Sequence, residues 1–292
     1  MAAAFIDAHQ HFWDPAAGDY DYPWIAGDFL PIRRRFEPAD LGPSLERFGI
    51  SGTVLVQTWN SLGETHAFLE LASRTDFIAG VVGWVDLTDL GVGDLLTKLK
   101  AGEHGRWLVG VRHLLHEEPD PEWLLRDDAR RGLGAVAQAG IVYDLVGKTV
   151  HLPAMLRTVA DFPQLRFVLD HIAKPEIKAH VTEPWMSLMS GFAAHRDHVW
   201  CKLSGMITEA DWNAWTADDL RPYVAHALGV FGADRCMYGS DWPVCLVAGS
   251  YDRVVEALRS CLADRTEQER EQIFGRSALD AYCLPALALE TR

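Results

Sequence analysis

Basic side chains, cysteines and long apolar runs are all scarce in this chain of 292 residues. There are 27 lysines and arginines against 41 aspartates and glutamates, a formal charge of −14. A surface of that sign repels polyanions, so nucleic acids and anionic membranes are not expected partners. The five cysteines, Cys201, Cys236, Cys245, Cys261 and Cys283, are odd in number and lack C-x-x-C spacing. That argues against a disulfide framework or a structural zinc knot. No apolar stretch reaches the length of a bilayer span. No basic segment followed by an apolar one opens the chain. No G-x-G-x-x-G follows an apolar run, which argues against a dinucleotide site. With 49% hydrophobic residues, the chain buries a sizeable core. A cytoplasmic protein that handles small molecules is the expectation.

What is present is alternation. Runs of β type fall at Phe5–His11, Thr53–Thr58, Ile78–Asp86, Leu108–Leu114, Ile141–Val146, Arg166–Ile172, Val199–Ser204 and Arg235–Asp241. Helical spacing recurs between them, around Asp40–Phe48, Glu64–Arg74, Asp94–Lys100, Asp127–Ala139, Pro153–Asp161, Pro184–His195 and Leu220–Phe231. Asp252–Leu262 and Thr266–Leu279 follow the last run. Nearly continuous Val, Ile and Leu suits parallel strands covered on both faces. Eight βα units in this length predict an α/β fold, a (β/α)8 TIM barrel. It is expected as one domain over residues 1–292, with an extra C-terminal helix.

In such a barrel, chemistry sits at the C-terminal ends of the strands. Polar residues collect there: His9 and His11, Arg112 and His113, Asp144, Asp170 and His171, Lys202 and Ser204, Ser240 and Asp241. Alternation with period two predicts Asp7, His9 and His11 on one face of the first strand, with Ile6 and Ala8 on the other. Two buried imidazoles beside a carboxylate call for a polar partner in front of them, a metal or a substrate carbonyl. The segment from Phe12 to about Arg35 predicts a long, lid-like loop. Its Trp13, Tyr20, Tyr22 and Trp24 are rings suited to packing on the CH faces of a sugar. Trp59, Trp84, Trp212, Trp215 and Trp242 fall near other strand ends.

The motifs resemble a family. Asp7-x-His9-x-His11 on the first strand, His171 on the sixth and Asp241 on the eighth are similar to the amidohydrolase superfamily of (β/α)8 hydrolases. Gly110–His113, Asp170–Pro175 and Tyr238–Pro243 resemble the branch containing sugar-lactone and pyrone-lactone hydrolases. Phe5–Trp13 and Tyr20–Trp24 resemble its aldonolactonases, those acting on L-fucono- and L-rhamnonolactone. The resemblance implies a carboxylic ester hydrolase that opens a sugar lactone, L-fuconolactone first among the candidates. It departs from metal-dependent relatives in two places. The fourth strand offers Arg112 and His113 in place of a metal-bridging Lys or Glu, and the fifth offers Asp144 in place of His. The resemblance therefore implies at most one divalent metal, zinc, held by His9, His11, His171 and Asp241. Relatives that work without a metal leave its necessity open, and no organic cofactor is implied.

Opening a lactone needs a polarised carbonyl, an activated water and a proton for the departing ring oxygen. Asp241 is the expected base. His9, His11 and His171 are expected to face the carbonyl oxygen, either as zinc ligands or as hydrogen-bond donors. Arg112 suits either a salt bridge with Asp144 or the nascent carboxylate. His113, Lys174, Trp24 and Trp59 complete the expected substrate contacts. Of the adjacent pair Arg112 and His113, alternation lets only one point inward. Two other activities fit the same superfamily, a metal-dependent decarboxylase and a pyrone-dicarboxylate lactonase. A barrel that binds sugars without turnover is the reading outside enzymes. No oligomeric state follows from the sequence.

Overall fold

A computed structural model of the chain describes residues 5–17 and 22–285. Tyr20 of the expected lid lies outside the described residues. Eight strands form one sheet in sequence order: β1 Ile6–Gln10, β2 Gly52–Val56, β3 Ile78–Gly83, β4 Leu108–Leu114, β5 Val142–Val146, β6 Phe167–Leu169, β7 Val199–Leu203 and β8 Cys236–Tyr238. Every neighbouring pair is parallel. The β8 end closes onto β1 through a parallel bridge between Gln10 and Trp242. The predicted α/β barrel is the observed one.

The helical layer comprises α1 Pro38–Phe48, α2 Leu62–Ser73, α3 Val92–Ala101, α4 Asp127–Ala139, α5 Leu152–Asp161, α6 Trp185–Ser190, α7 Ala217–Phe231 and α8 Tyr251–Cys261. Their ends obey local chemistry. Ser61 accepts the Glu64 amide at the start of α2, and Thr216 and Asp219 form a reciprocal cap on α7. Gly140 ends α4 at φ +66°, a left-handed conformation natural to glycine. Among the described residues, no helix is long and apolar enough to cross a membrane.

The extra C-terminal helix is present as Glu267–Ala281, with a wider π-type turn over Gln272–Arg276. It plugs the barrel. Ala278, Ala281, Tyr282 and Leu284 pack with Ile6, Ala8, Val54, Val56, Val82, Val142, Val168, Trp200 and Met237 in one apolar layer. These strand residues alternate along their strands, as an inward-facing set must.

Two details depart from the alternation predicted for the strands. Ile6 and Ala8 face the interior layer, whereas Asp7 accepts a hydrogen bond from the Tyr251 hydroxyl of α8. Asp7 therefore does not share a face with His9 and His11. The pairing of β1 with β2 shifts register between Asp7 and Gln10, and such a shift swaps faces. The sixth strand, expected to reach Ile172, stops at Leu169. His171, Ile172, Ala173 and Lys174 then turn through four successive left-handed conformations, φ +46° to +58°. That conformation costs an L-residue roughly 1–2 kcal/mol, so the surroundings must hold the turn. The Trp185 indole donates to the Ile172 carbonyl at 2.7 Å, and Lys174 pairs with Glu209 at 3.0 Å.

Candidate active site

The site is built first from the seam between β8 and β1. The Asp241 amide donates to the His9 carbonyl at 2.8 Å, and the His11 amide donates to the Trp242 carbonyl at 2.7 Å. Asp7 staples the seam from behind, accepting the Ser240 amide at 2.8 Å and the His9 amide at 3.2 Å. His9, His11 and Asp241 are thereby fixed by backbone contacts rather than by loop packing. His171 comes from the left-handed turn after β6. Its imidazole fits only because position 205 is glycine, where a Cβ would lie 2.5 Å from His171 Nδ1. A Cβ at Gly239 would lie 2.7 Å from that of His9.

Four expected residues converge. His11 Nε2 lies 3.2 Å from both His9 Nε2 and Asp241 Oδ1. His9 Nε2 and His171 Nε2 lie 3.8 and 3.9 Å from the same carboxylate oxygen. Each Nδ1 is engaged elsewhere. That of His11 donates to the Val56 carbonyl at 2.7 Å, and that of His171 lies 2.9 Å from Ser204 Oγ. His9 Nδ1 lies 3.1 Å from Lys202 Nζ and 3.4 Å from Asp170. Burial holds all three imidazoles below their ordinary pKa, with Lys202 adding to the effect on His9 and His9 adding to that on His171. Neutral rings with Nε2 facing one point suit metal ligation.

His9, His171 and Asp241 each offer one donor atom, all within 4.8 Å of one another. Two imidazole nitrogens and a carboxylate oxygen are a donor set that zinc accepts, with room for another ligand. The residues fit one divalent ion. The fourth expected ligand, His11, lies against this group without belonging to the mutually close set.

Beneath the imidazoles lies a charged floor. Lys202, fully buried, reaches Asp144 at 2.6 Å and Asp170 at 2.9 Å. Arg112 donates to Asp170 at 2.8 Å and to the Gln57 carbonyl at 2.6 Å, while the same Nη1 lies 3.3 Å from His9 Nε2. Burial pushes Asp170 upward, but Lys202, His9 and Arg112 outweigh it and hold the carboxyl well below the usual range. Burial pushes Asp144 up to about 6 against the pull of Lys202.

Above the floor opens a cavity of about 460 Å³. Trp24, Phe29, Trp212, Leu114, Val146 and Val244 give it an apolar wall. Arg112, His116, Glu117, Lys148, Lys174, Glu209 and the two threonines Thr58 and Thr208 give it polar edges. Trp24 and Lys174 thus lie where expected. Three expected substrate contacts do not. His113 stacks on Trp123 at 4.0 Å and bonds to Glu118 at 2.7 Å and to the Trp84 indole at 3.1 Å, on the helical side of β4. Asp144 is sealed below the floor by Lys202 and Tyr282. Its expected partner Arg112 pairs instead with Asp170. Trp59 is absent from the cavity wall, and its amide is turned toward Glu64.

Some contributors carry no local signal in the sequence. His116 lines the cavity with its Nδ1 unpartnered among the described residues, and burial, with Lys174, Arg112 and Lys148 nearby, lowers the pKa of its imidazole to about 3. Buried Glu64, raised to about 7 by burial, accepts bonds from the Thr58 hydroxyl and from the Thr58 and Trp59 amides, holding the loop after β2.

A barrel with imidazoles from β1 and the β6 turn, and a carboxylate after β8, defines a class. The amidohydrolase family model matches residues 6–284, and the chain belongs to that family. Among its relatives, the chain is 38% identical to the L-fucono-1,5-lactonase of Burkholderia ambifaria, over 95% of this chain and 94% of that protein. It is 36% identical to the L-fucono-1,5-lactonase of Burkholderia multivorans, over 98% of each. A crystal structure of an amidohydrolase from Burkholderia multivorans with bound zinc superposes with a TM-score of 0.90 at 36% identity, covering 97% of this chain and 100% of that one.

Proposed function

We propose that this protein hydrolyses a sugar lactone to its aldonate, with L-fucono-1,5-lactone, the compound that names its relatives, as the substrate. The observation that carries this reading is the convergence of His9, His11, His171 and Asp241 at the base of a cavity that the last three line, with one aromatic wall and hydrogen-bonding edges. Rings such as Trp24 and Trp212 accept the CH face of a sugar, while polar edges take its hydroxyls.

The carbonyl oxygen sits among the Nε2 atoms and Arg112. His9, His171 and Asp241 would hold a divalent ion, which when bound would supply Lewis-acid polarisation of the carbonyl. The chain also brings its own positive charge. Arg112, locked by Asp170 and Gln57, needs no reorganisation as negative charge develops on that oxygen. Asp241 takes the proton of the attacking water as the new C–O bond forms. The ring C–O bond then breaks, and the leaving oxygen recovers that proton.

Charge in the wall favours a neutral substrate over a dicarboxylate. Arg112 and Lys174 are paired with Asp170 and Glu209. Lys148 alone of the three wall cations carries no ion pair among the described residues. Acid release from a panel of neutral aldonolactones and pyrone dicarboxylates, before and after chelation, tests the proposal. Turnover of neutral lactones supports it. Turnover of dicarboxylates alone, or carbon dioxide release from aromatic acids, overturns it. The reaction compartment we infer is the cytoplasm, supported by five cysteines that all stand as free thiols.

A further inference from the structure

Lys202 is the buried group that the proposed reaction leaves unused. A fully buried ammonium is costly unless paired and hydrogen-bonded. Here it sits at the centre of a column of polar contacts that runs the depth of the barrel. At its lower end the Tyr282 hydroxyl, rising from the C-terminal plug, donates to Asp144 Oδ2 at 2.7 Å. The same oxygen accepts from Lys202 Nζ at 2.6 Å, and the ammonium lies 5.3 Å from the Tyr282 ring centroid. At its upper end, Nζ lies 3.1 Å from His9 Nδ1. Tyr282, Asp144, Lys202 and Asp170, which lies 2.9 Å from Lys202 and 3.4 Å from His9 Nδ1, therefore join the C-terminal segment to a ring whose other nitrogen faces the reacting site.

We propose that the C-terminal plug is part of the site's positioning apparatus: Tyr282, acting through Asp144, fixes the Lys202 ammonium, which holds the Asp170 carboxylate beside His9 Nδ1 and so sets the orientation of the His9 imidazole. The apolar layer around Tyr282 shields the column from water, so Lys202 meets the fixed acceptors Asp144 and Asp170 rather than solvent. Tyr282 packs its ring in this layer while its hydroxyl leaves it to meet Asp144. Asp144, expected to contact substrate, acquires this role instead. The inference rests on the lactonase reading for its kinetic readout, but not for its spectroscopic one.

The experiment uses full-length protein labelled with 15N-histidine, with the His9 imidazole signals assigned by their loss in His9→Gln. Tyr282→Phe removes one hydroxyl and keeps the ring. It is expected to shift the His9 nitrogen signals and to lower kcat about tenfold, the usual order for groups that orient a ligand, with KM changed less than about twofold. Lys202→Gln is expected to shift the same signals further. Leu284→Ala, which loosens the plug without touching the column, is expected to lower the melting temperature and leave the His9 signals and kcat native. Native His9 signals and native kcat in Tyr282→Phe overturn the inference. A native protein that opens no lactone, yet loses its His9 signal positions in Tyr282→Phe, overturns the lactonase reading and upholds this one.

Discussion

The two ends of the barrel interior differ in kind. Toward the C-terminal ends of the strands, Arg112, Lys202, Asp144, Asp170, Asp241 and three histidines form one connected group of polar contacts of 2.6 to 3.9 Å. Toward the other end, Ile6, Ala8, Val54, Val82, Val168 and the plug residues form an apolar layer that includes the Tyr282 hydroxyl and the Trp200 indole nitrogen. Buried charges bring orientation at the expense of stability, and apolar burial brings stability without chemistry. The fold keeps the two apart along one axis. Substitutions at the upper end should remove activity from a folded protein, and substitutions of the purely apolar side chains at the lower end, Tyr282 and its hydroxyl excepted, should do the reverse.

The largest effect is expected at Asp241. Asp241→Asn keeps the shape and removes the base, so kcat should fall about 10³-fold with melting close to native. A variant that melts early instead would blur the distinction between the two ends. Arg112→Met is next. Loss of the fixed guanidinium should lower kcat about 10²-fold. It should also reduce stability in urea, because buried Asp170 keeps only Lys202 and His9 as partners. At the lower end, Val168→Ala should lower unfolding free energy by about 2 kcal/mol while leaving kcat unchanged. Loss of activity in parallel with stability would break the comparison there.

The smallest effect sharpens it by pH. Burial and the neighbouring Lys174, Arg112 and Lys148 hold His116 at about 3 in the folded protein, against about 6.5 unfolded. Between these values the unfolded chain binds the extra proton. His116 therefore subtracts stability as pH falls below 6.5, by up to about 1.4 kcal/mol per unit. Urea melts of His116→Gln from pH 6.5 to 4.5 should show a flatter decline than the native protein. An unchanged slope would mean that His116 is protonated in the folded state.

Much of the upper end was legible because its residues lie at strand termini with strong apolar runs before them. His9, His171 and Asp241 follow directly from that pattern. The faces of individual residues were less legible. The register shift within β1 sends Asp7 to α8, and nothing in Ile6–Gln10 announces it. Alternation required that Arg112 and His113 part company, but only the stack of His113 on Trp123 decides which turns outward. The left-handed turn at His171–Lys174 was hidden because none of its residues is glycine. Glu64 and Tyr282 were invisible for another reason. The Asp144 partner of Tyr282 lies 138 positions away, the Thr58 and Trp59 partners of Glu64 lie in the loop before its own helix, and an amphipathic helical pattern gives no hint of a polar side chain turned inward.

The most direct measurement is the initial rate of acid release from L-fucono-1,5-lactone near neutral pH, with and without the native protein. The account predicts saturable hydrolysis far above the spontaneous rate, with kcat on the order of 1–10³ s⁻¹. A folded protein that leaves the spontaneous rates of this and other neutral aldonolactones unchanged would contradict it.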